Sequence, residues 1–252
     1  MVFPLYDDNT DRNTTPFVNY ALIALNIFVF VVLQRLGTDT DFTYSFSTVP
    51  AEIVSGRDIV TPARVVEYMG QRVLIPGLGE TPLSVYLTLF TSMFMHGGIA
   101  HIAGNMLFLW IFGDNIEDRL GHVRYVIFYL LCGLIASLAH VFATAAFSGG
   151  GENMLVPSLG ASGAISGVLG GYILLHPTRR VTVILFRFLT QVPAYVAIGI
   201  WFLFQLISGL GMLGEGSQSG GVAYAAHVGG FIAGVVLIKL FDRGHQSRAP
   251  AY

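Results

Sequence analysis

Long apolar stretches separated by short polar ones run along most of this 252-residue chain. A transmembrane helix needs about 20 mostly apolar residues. Stretches near that length occupy residues 17–36, 102–113, 123–147, 159–175, 181–210 and 221–241. The second is lengthened upstream by His101 and its neighbours. The pattern predicts an all-α polytopic membrane protein with six transmembrane helices.

The polar stretches divide the chain into three parts. Residues 1–16 form a short cytoplasmic N-terminal segment, 17–241 one membrane domain and 242–252 a cytoplasmic C-terminal tail. Within the domain, residues 37–95 or thereabouts form a long first outer loop, in which scattered charges alternate with apolar residues. Such a loop is expected to fold against the membrane surface. The Gly- and Ser-rich loop 209–221 is expected to be mobile and is a candidate lid, and the sequence leaves open whether this loop or the first outer loop gates access.

Composition and charge support a membrane location and an orientation. The chain is 54% hydrophobic and only 11% charged, which is too apolar for a soluble domain. Its net charge of −2 provides no basic patch, so no nucleic-acid partner is expected. The N-in/C-in orientation satisfies the positive-inside rule, because the outer side then receives no Lys or Arg except Arg35, Arg57, Arg64 and Arg72.

Polar side chains inside membrane helices are costly to bury, so each needs a partner, a cavity or a function. They stand out at three places, which are Ser162 in the fourth stretch, His101 and Asn105 with nearby His96 at the second, and His227 in the sixth. Serine becomes a nucleophile when an adjacent base takes its proton, and neutral imidazole is the usual base. Donors such as His101 and Asn105 are then needed for the oxyanion that develops.

Glycine spacing indicates which helices pack closely. In the fourth stretch glycines recur every four residues, at Gly163, Gly167 and Gly171. In the sixth, His227, Gly230 and Gly234 share one face through their spacing of three and four. Close packing of these two helices would bring Ser162 within hydrogen-bond reach of His227.

Other interpretations of the same residues are weaker. His96, His101 and His227 are three potential metal ligands, but no H-E-x-x-H and no suitably spaced carboxylate accompanies them, so no metal site is expected. A small transporter would need matching interrupted segments in two halves, which the chain lacks. Ser166 and Cys132 are expected to be packing residues.

Four motifs occur in order, "HGGIAHIAGN" (96–105), "GDNIEDRLG" (113–121), "GASG" (160–163) and "AHVGGFIAG" (226–234). With them the chain resembles the rhomboid family of intramembrane serine proteases. The resemblance implies a rhomboid-like bundle with a dyad, in which Ser162 is the nucleophile and His227 the base. It implies an oxyanion hole formed by His101, Asn105 and the Ser162 N–H. Supporting positions are His96, Gly160, Gly163 and Tyr224.

The resemblance also implies the activity. The expected function is a serine endopeptidase that cuts other proteins in or near their transmembrane segments, without a cofactor. Its partners would be transmembrane substrates and membrane lipids, and the oligomeric state is not predicted. The alternative is a non-catalytic rhomboid-like protein that binds other membrane proteins. In some relatives an aromatic ring four residues after the nucleophile supports the histidine. Here that position is Ser166, so Tyr224 is expected to take over. The expected location is a prokaryotic plasma (inner) membrane.

Overall fold

The structure is a computed structural model that describes residues 2–68, 71–147, 151–185, 188–212 and 224–242. Helices dominate it. They are α1 (Phe17–Phe28, continued as a π-helix over Val29–Leu33), α2 (Thr40–Ser45), α3 (Pro50–Ser55), α4 (Thr88–Thr91), α5 (Ile99–Leu120), α6 (His122–Phe147), α7 (Ser162–Leu175), α8 (Ala194–Met212) and α9 (Tyr224–Phe241). The strands are β1 (Val2–Asp7), β2 (Arg64–Tyr68), β3 (Gln71–Ile75), β4 (Arg180–Leu185) and β5 (Phe188–Pro193).

Only some of the described helices are long enough to cross a membrane. Of the described helices, α6 and α9 are long and apolar enough to cross a membrane, and the bent pair Val85–Phe94 and Ile99–Leu120 adds a third if it acts as one span. The two parts of that pair lie 80° apart. Shorter apolar helices cover Phe17–Leu33, Ser162–Leu175 and Ala194–Ile207. The protein is therefore a mostly helical membrane protein.

The prediction of an all-α protein is wrong in one respect, because the chain also forms strands. β1, β4 and β5 make an antiparallel sheet in that order, and β2 pairs antiparallel with β3 within residues 37–95, the segment predicted to be the first outer loop. The apolar stretch 181–210, interpreted as one helix, thus begins with two strands. Its first residues, Val181, Thr182 and Val183, are β-branched and favour a strand. β1 and β5 pair with both edges of β4 and satisfy its backbone polar groups without a helix.

Helix α7 lies at the centre of the bundle. It packs so closely on α9 that the backbones of the two helices are in contact. A Cβ on Gly230 would lie 2.1 Å from the Gly163 carbonyl oxygen, and one on Gly234 only 1.9 Å from that of Gly167. On another side of α7, a Cβ on Gly167 would lie 2.3 Å from Cβ of the buried Cys132 in α6. The close packing predicted from the glycine spacing is confirmed, and no other residue fits at these positions without a shift.

Polar contacts tie the chain together at one end of the bundle, called here the basal end, where α1 begins and α5, α7 and α9 end. The buried Glu117 carboxylate of α5 accepts the Val18 and Asn19 N–H groups at 2.9 and 2.6 Å. It thereby caps the first turn of α1, which has no side-chain cap of its own. Arg119 donates two hydrogen bonds of 2.9 Å to Asp242, just beyond α9.

A buried carboxylic acid anchors β1 at the basal end. Asp7 is 7% exposed, and its Oδ2 accepts hydrogen bonds from Asn115 Nδ2 at 2.8 Å and from the Tyr172 hydroxyl. Burial raises the pKa of Asp7 to about 7, and the nearby Asp114 carboxylate acts in the same direction. The Tyr172 hydrogen bond and the Arg179 charge oppose these effects on the pKa. Asp7 therefore titrates near neutral pH.

Candidate active site

Ser162 is the first residue of α7, and the chain turns sharply just before it. Gly160 has φ +122°, a conformation that a residue with a side chain rarely adopts. Its N–H donates to the Ser92 carbonyl oxygen at 2.8 Å. The first N–H groups of a helix have no partner within the helix, so the Ser162 N–H is available to a ligand. The turn thus presents the Ser162 hydroxyl and N–H together.

His227 of α9 faces this serine. Its Nε2 lies 2.8 Å from Ser162 Oγ, at hydrogen-bond distance. The contact joins residues 65 positions apart in the chain, and it exists because the glycines of α7 and α9 let the two backbones approach. The structure thus brings together the two residues that the sequence singled out as nucleophile and base.

The other ring nitrogen of His227 has a partner that the sequence analysis missed. Nδ1 lies 2.8 Å from Oε1 of Gln205, a residue of α8 that is 7% exposed. Tyr224, proposed as the support, contacts His227 edge-on with ring centroids 6.4 Å apart, and Trp201 of α8 lies at 6.0 Å. Gln205 is the one amide side chain in α8, and the rule that singled out His227, the cost of burying a polar group in a membrane helix, would have identified it too.

His101 and Ser162 border one small space above Gly160. A Cβ on Gly160 would lie 2.9 Å from His101 Nε2 and 3.7 Å from Ser162 Oγ. This closeness, together with the positive φ, is why position 160 requires glycine. Asn105 lies one turn further along α5 on the same face and is 7% exposed. Within the described ranges its Nδ2 has no hydrogen-bond partner.

His96 is fully buried next to this space. Its ring lies 5.2 Å from that of His101 and 6.5 Å from that of Phe30. Gln34 clamps the backbone of His96 by accepting its N–H at 2.9 Å and donating to its carbonyl oxygen at 2.8 Å. Gln34 lies at the end of the first apolar stretch, and no sequence pattern marks it as part of the site. The clamp fixes the turn that leads into α5, and with it the position of His101.

The remaining predicted residues have structural contacts. A Cβ on Gly163 would lie 2.7 Å from Ala136 Cβ, so this glycine permits close packing on α6. Ser166 donates to the Ser162 carbonyl oxygen at 2.6 Å, one turn back in α7. Among the residues that the structure describes, no group of three or more His, Cys, Asp or Glu is placed to hold a metal ion. Most of the predicted lid, 209–221, lies outside the described residues.

Comparison with known proteins gives a family match. A family model described as "Rhomboid domain" matches residues 84–243, more than half of the chain. The chain is 31% identical over 173 residues to "Rhomboid protein 1, mitochondrial" of Saccharomyces cerevisiae (66% of this chain, 46% of the relative). It is 27% identical over 226 residues to "Rhomboid protease GluP" of Bacillus subtilis (88% and 34%), and 36% identical over 152 residues to "RHOMBOID-like protein 12, mitochondrial" of Arabidopsis thaliana (57% and 43%). The chain thus spans between about a third and a half of the length of these curated relatives.

The names of these relatives correct one expectation. Yeast, plant and zebrafish relatives are all named as mitochondrial proteins. The prediction of a prokaryotic plasma membrane is therefore wrong. It was tied to no residue of the chain, because apolar helices and basic loops are compatible with several membranes.

Proposed function

This chain belongs to the rhomboid family, and from that premise we propose that it is an intramembrane serine endopeptidase with a Ser162–His227 dyad. The observation that carries the proposal is the 2.8 Å contact between Ser162 Oγ and His227 Nε2. Nucleophile and base within hydrogen-bond reach form the minimal unit of serine catalysis. A relative named as a protease, GluP, supports the same activity.

The reaction begins when Ser162 Oγ attacks the carbonyl carbon of the scissile peptide bond. His227 Nε2 takes the hydroxyl proton as the new C–O bond forms, and then gives it to the leaving amine nitrogen as the C–N bond breaks. The product of this half is an acyl-enzyme on Ser162. In the second half His227 takes a proton from water as the water oxygen attacks the acyl carbon, and it gives that proton to Ser162 Oγ as the acyl C–Oγ bond breaks, which releases the acid and restores the serine.

The oxyanion of each tetrahedral intermediate needs donors that are already in place. Asn105 Nδ2 is a buried donor without a partner in the described chain, and the Ser162 N–H sits at the positive end of α7. His101 borders the same space. We assign these three groups to the oxyanion hole, because donors that are oriented before the reaction need no reorganisation during it.

Six crossings with both termini on one side remain our proposal for the topology, with residues 17–241 as the membrane domain. The basal-end contacts support it. Glu117 joins the end of α5 to the start of α1, Arg119 joins it to the end of α9, and Arg179, just beyond α7, bonds to Asp11. An even number of crossings is required if the start of the first helix and the end of the last meet at one end of the bundle. We take a mitochondrial membrane as the location, from the relatives' names.

The site's depth fits substrates that are themselves membrane proteins. Helix α7 has 14 residues, or about 21 Å at 1.5 Å per residue, against a hydrocarbon core of about 30 Å. Since α7 begins at Ser162, the nucleophile lies below the outer surface of the membrane. Transmembrane segments and lipids are therefore the proposed partners.

The test is cleavage of a model transmembrane substrate in proteoliposomes. Ser162→Ala and His227→Ala should each abolish cleavage, because the two groups act as a unit. Ser137→Ala is the matched control and should cleave normally, because Ser137 is a serine of α6 that donates to the Leu89 carbonyl oxygen of α4, away from the dyad. A serine-directed phosphonate should label the wild type and not Ser162→Ala. Absence of labelling in the folded wild type would support the non-catalytic alternative instead.

A further inference from the structure

We propose that Gln205 is the positioning residue of the dyad, holding His227 in the tautomer that can act as a base. This inference rests on the proposed function. It assigns to a neutral amide on α8 the place that an aspartate takes in a Ser-His-Asp triad.

The two tautomers of imidazole differ in which ring nitrogen can act as a base. A neutral histidine carries its proton on one ring nitrogen, and only the nitrogen without a proton can accept another. Nε2 faces Ser162 Oγ, so the productive tautomer has its proton on Nδ1. Nδ1 lies 2.8 Å from Gln205 Oε1, which can only accept a hydrogen bond. The Nδ1–H donates to Gln205, and this tautomer is thereby favoured.

The environment of the pair makes the contact effective. Gln205 is 7% exposed, so water competes little for its Oε1. Trp201 lies one turn earlier on the same face of α8, and its ring centroid is 6.0 Å from that of His227. The ring of His227 is thus held by Trp201 on α8 and by hydrogen bonds at both nitrogens. A fixed ring orientation is what a catalytic base requires.

The same contact acts during the reaction. When Nε2 takes the serine proton, the ring becomes an imidazolium, and its Nδ1–H still donates to Gln205 Oε1. No proton passes to the amide. A neutral acceptor stabilises the imidazolium less than a carboxylate would, so the cation forms only transiently and returns its proton readily to the leaving amine.

Placing Gln205 on α8 links the base to a third helix. Ser162 lies on α7 and His227 on α9, and the backbones of these two helices are in direct contact at their glycines. By contrast, a ring contact of 6.3 Å between Phe108 and Trp201 joins α5 to α8. Outward displacement of α8 would withdraw the Gln205 acceptor while leaving the Ser162–His227 pair intact. The dyad is then fully competent only when α8 is packed against α9.

The experiment compares Gln205→Met with Gln205→Glu in the full-length protein in proteoliposomes. Met keeps the length of the side chain and removes the acceptor, so kcat should fall by about 10- to 100-fold, the cost of a buried donor left unpaired, with KM nearly unchanged. Glu restores an acceptor, so cleavage should recover. The acidic limb of its pH–rate profile should move by about one unit or more to higher pH, because a carboxylate stabilises the imidazolium. Phe204→Leu, at a position 54% exposed on the same helix, is the control and should behave as wild type.

The outcomes separate this inference from the proposed function. If Ser162→Ala still cleaves, the proposed function fails. If Ser162→Ala is inactive while Gln205→Met stays within about twofold of wild type, only the role of Gln205 is refuted. Equal losses in Gln205→Met and Gln205→Glu with an unmoved pH profile would show a structural role alone and would also overturn the inference.

Discussion

The close approach of α7 and α9 makes Gly234 a sensitive position, although it lies far from the chemistry. In Gly234→Ala the new Cβ would sit 1.9 Å from the Gly167 carbonyl oxygen and 2.7 Å from its Cα. Both atoms belong to the backbone, so no rotamer change can relieve the contact. The two helices must separate, or one must bend.

The required displacement follows from the distances. Ordinary contact begins at 3.4 Å, so the gap of 1.9 Å must open by the difference, 1.5 Å. The same displacement along the line from Ser162 Oγ to His227 Nε2, now 2.8 Å, would exceed any hydrogen-bond distance. Overpacking typically costs about 1–3 kcal/mol, while Ala in place of a helical Gly returns up to about 1 kcal/mol. Misplacing reacting groups by about 1 Å can cost 10²-fold in rate.

We therefore expect Gly234→Ala to lower kcat by about 10²-fold or more and to lower the thermal midpoint. Cleavage of a transmembrane substrate in proteoliposomes and thermal unfolding in detergent measure the two effects. Gly199→Ala is the matched control, since a Cβ at this helical position on α8 meets nothing within 4 Å. It should keep full activity and gain slightly in stability.

A Gly234→Ala variant with normal turnover and an unchanged midpoint would refute the reasoning. It would mean that α7 and α9 can accommodate an added methyl group between them. The Ser162–His227 contact would then not depend on the distance between the two backbones. A loss of stability with normal turnover would refute only the link between helix spacing and the dyad.

Two further predictions concern the basal end and the oxyanion hole. Because burial raises the pKa of Asp7 from 3.8 to about 7, the folded state binds a proton that the unfolded state releases, so stability should fall as the pH rises from 3.8 to about 7. Asp7→Asn should remove this dependence in thermal unfolding and Asp11→Asn should not, and a slope that persists in Asp7→Asn would exclude Asp7 as its source. Asn105→Ala should lower kcat by about 10²–10³-fold with little change in KM, since one oxyanion donor is lost. An effect confined to KM would show that Asn105 holds the substrate instead.

Much of the molecule was predictable because the relevant signals are local. The lengths of the apolar stretches located α6, α7 and α9 to within three residues, since bilayer thickness and helix rise set that length. Helix α5 runs on to Leu120, seven residues beyond the predicted end at 113, through the polar motif that follows the apolar stretch. The four-residue glycine spacing in α7 identified the face that packs closely. The cost of burying polar groups in a membrane directed attention to Ser162, His227, His101 and Asn105.

Other features depended on contacts that a local pattern does not contain. The sheet pairs Val2 with Leu185, and the sequence around either residue does not indicate which distant segment it pairs with. The strands at 180–193 are apolar enough to be interpreted as part of a helix, and although β-branched residues favour a strand there, the pairing of β4 with β1 and β5 decides it. On α8, Phe204 is 54% exposed, whereas Trp201, three residues earlier and equally apolar, packs inward on Phe108.

Gln205 shows most clearly what only the tertiary structure decided. The sequence determined that α8 is a helix with one amide among apolar residues, and that Ser162 and His227 lie on helices with glycine faces. It did not determine how α8 is rotated about its axis, because lipid accepts apolar side chains on any face of a helix and so leaves the periodicity weak. The packing of α8 on α9 sets that rotation, and with it the acceptor that His227 Nδ1 meets.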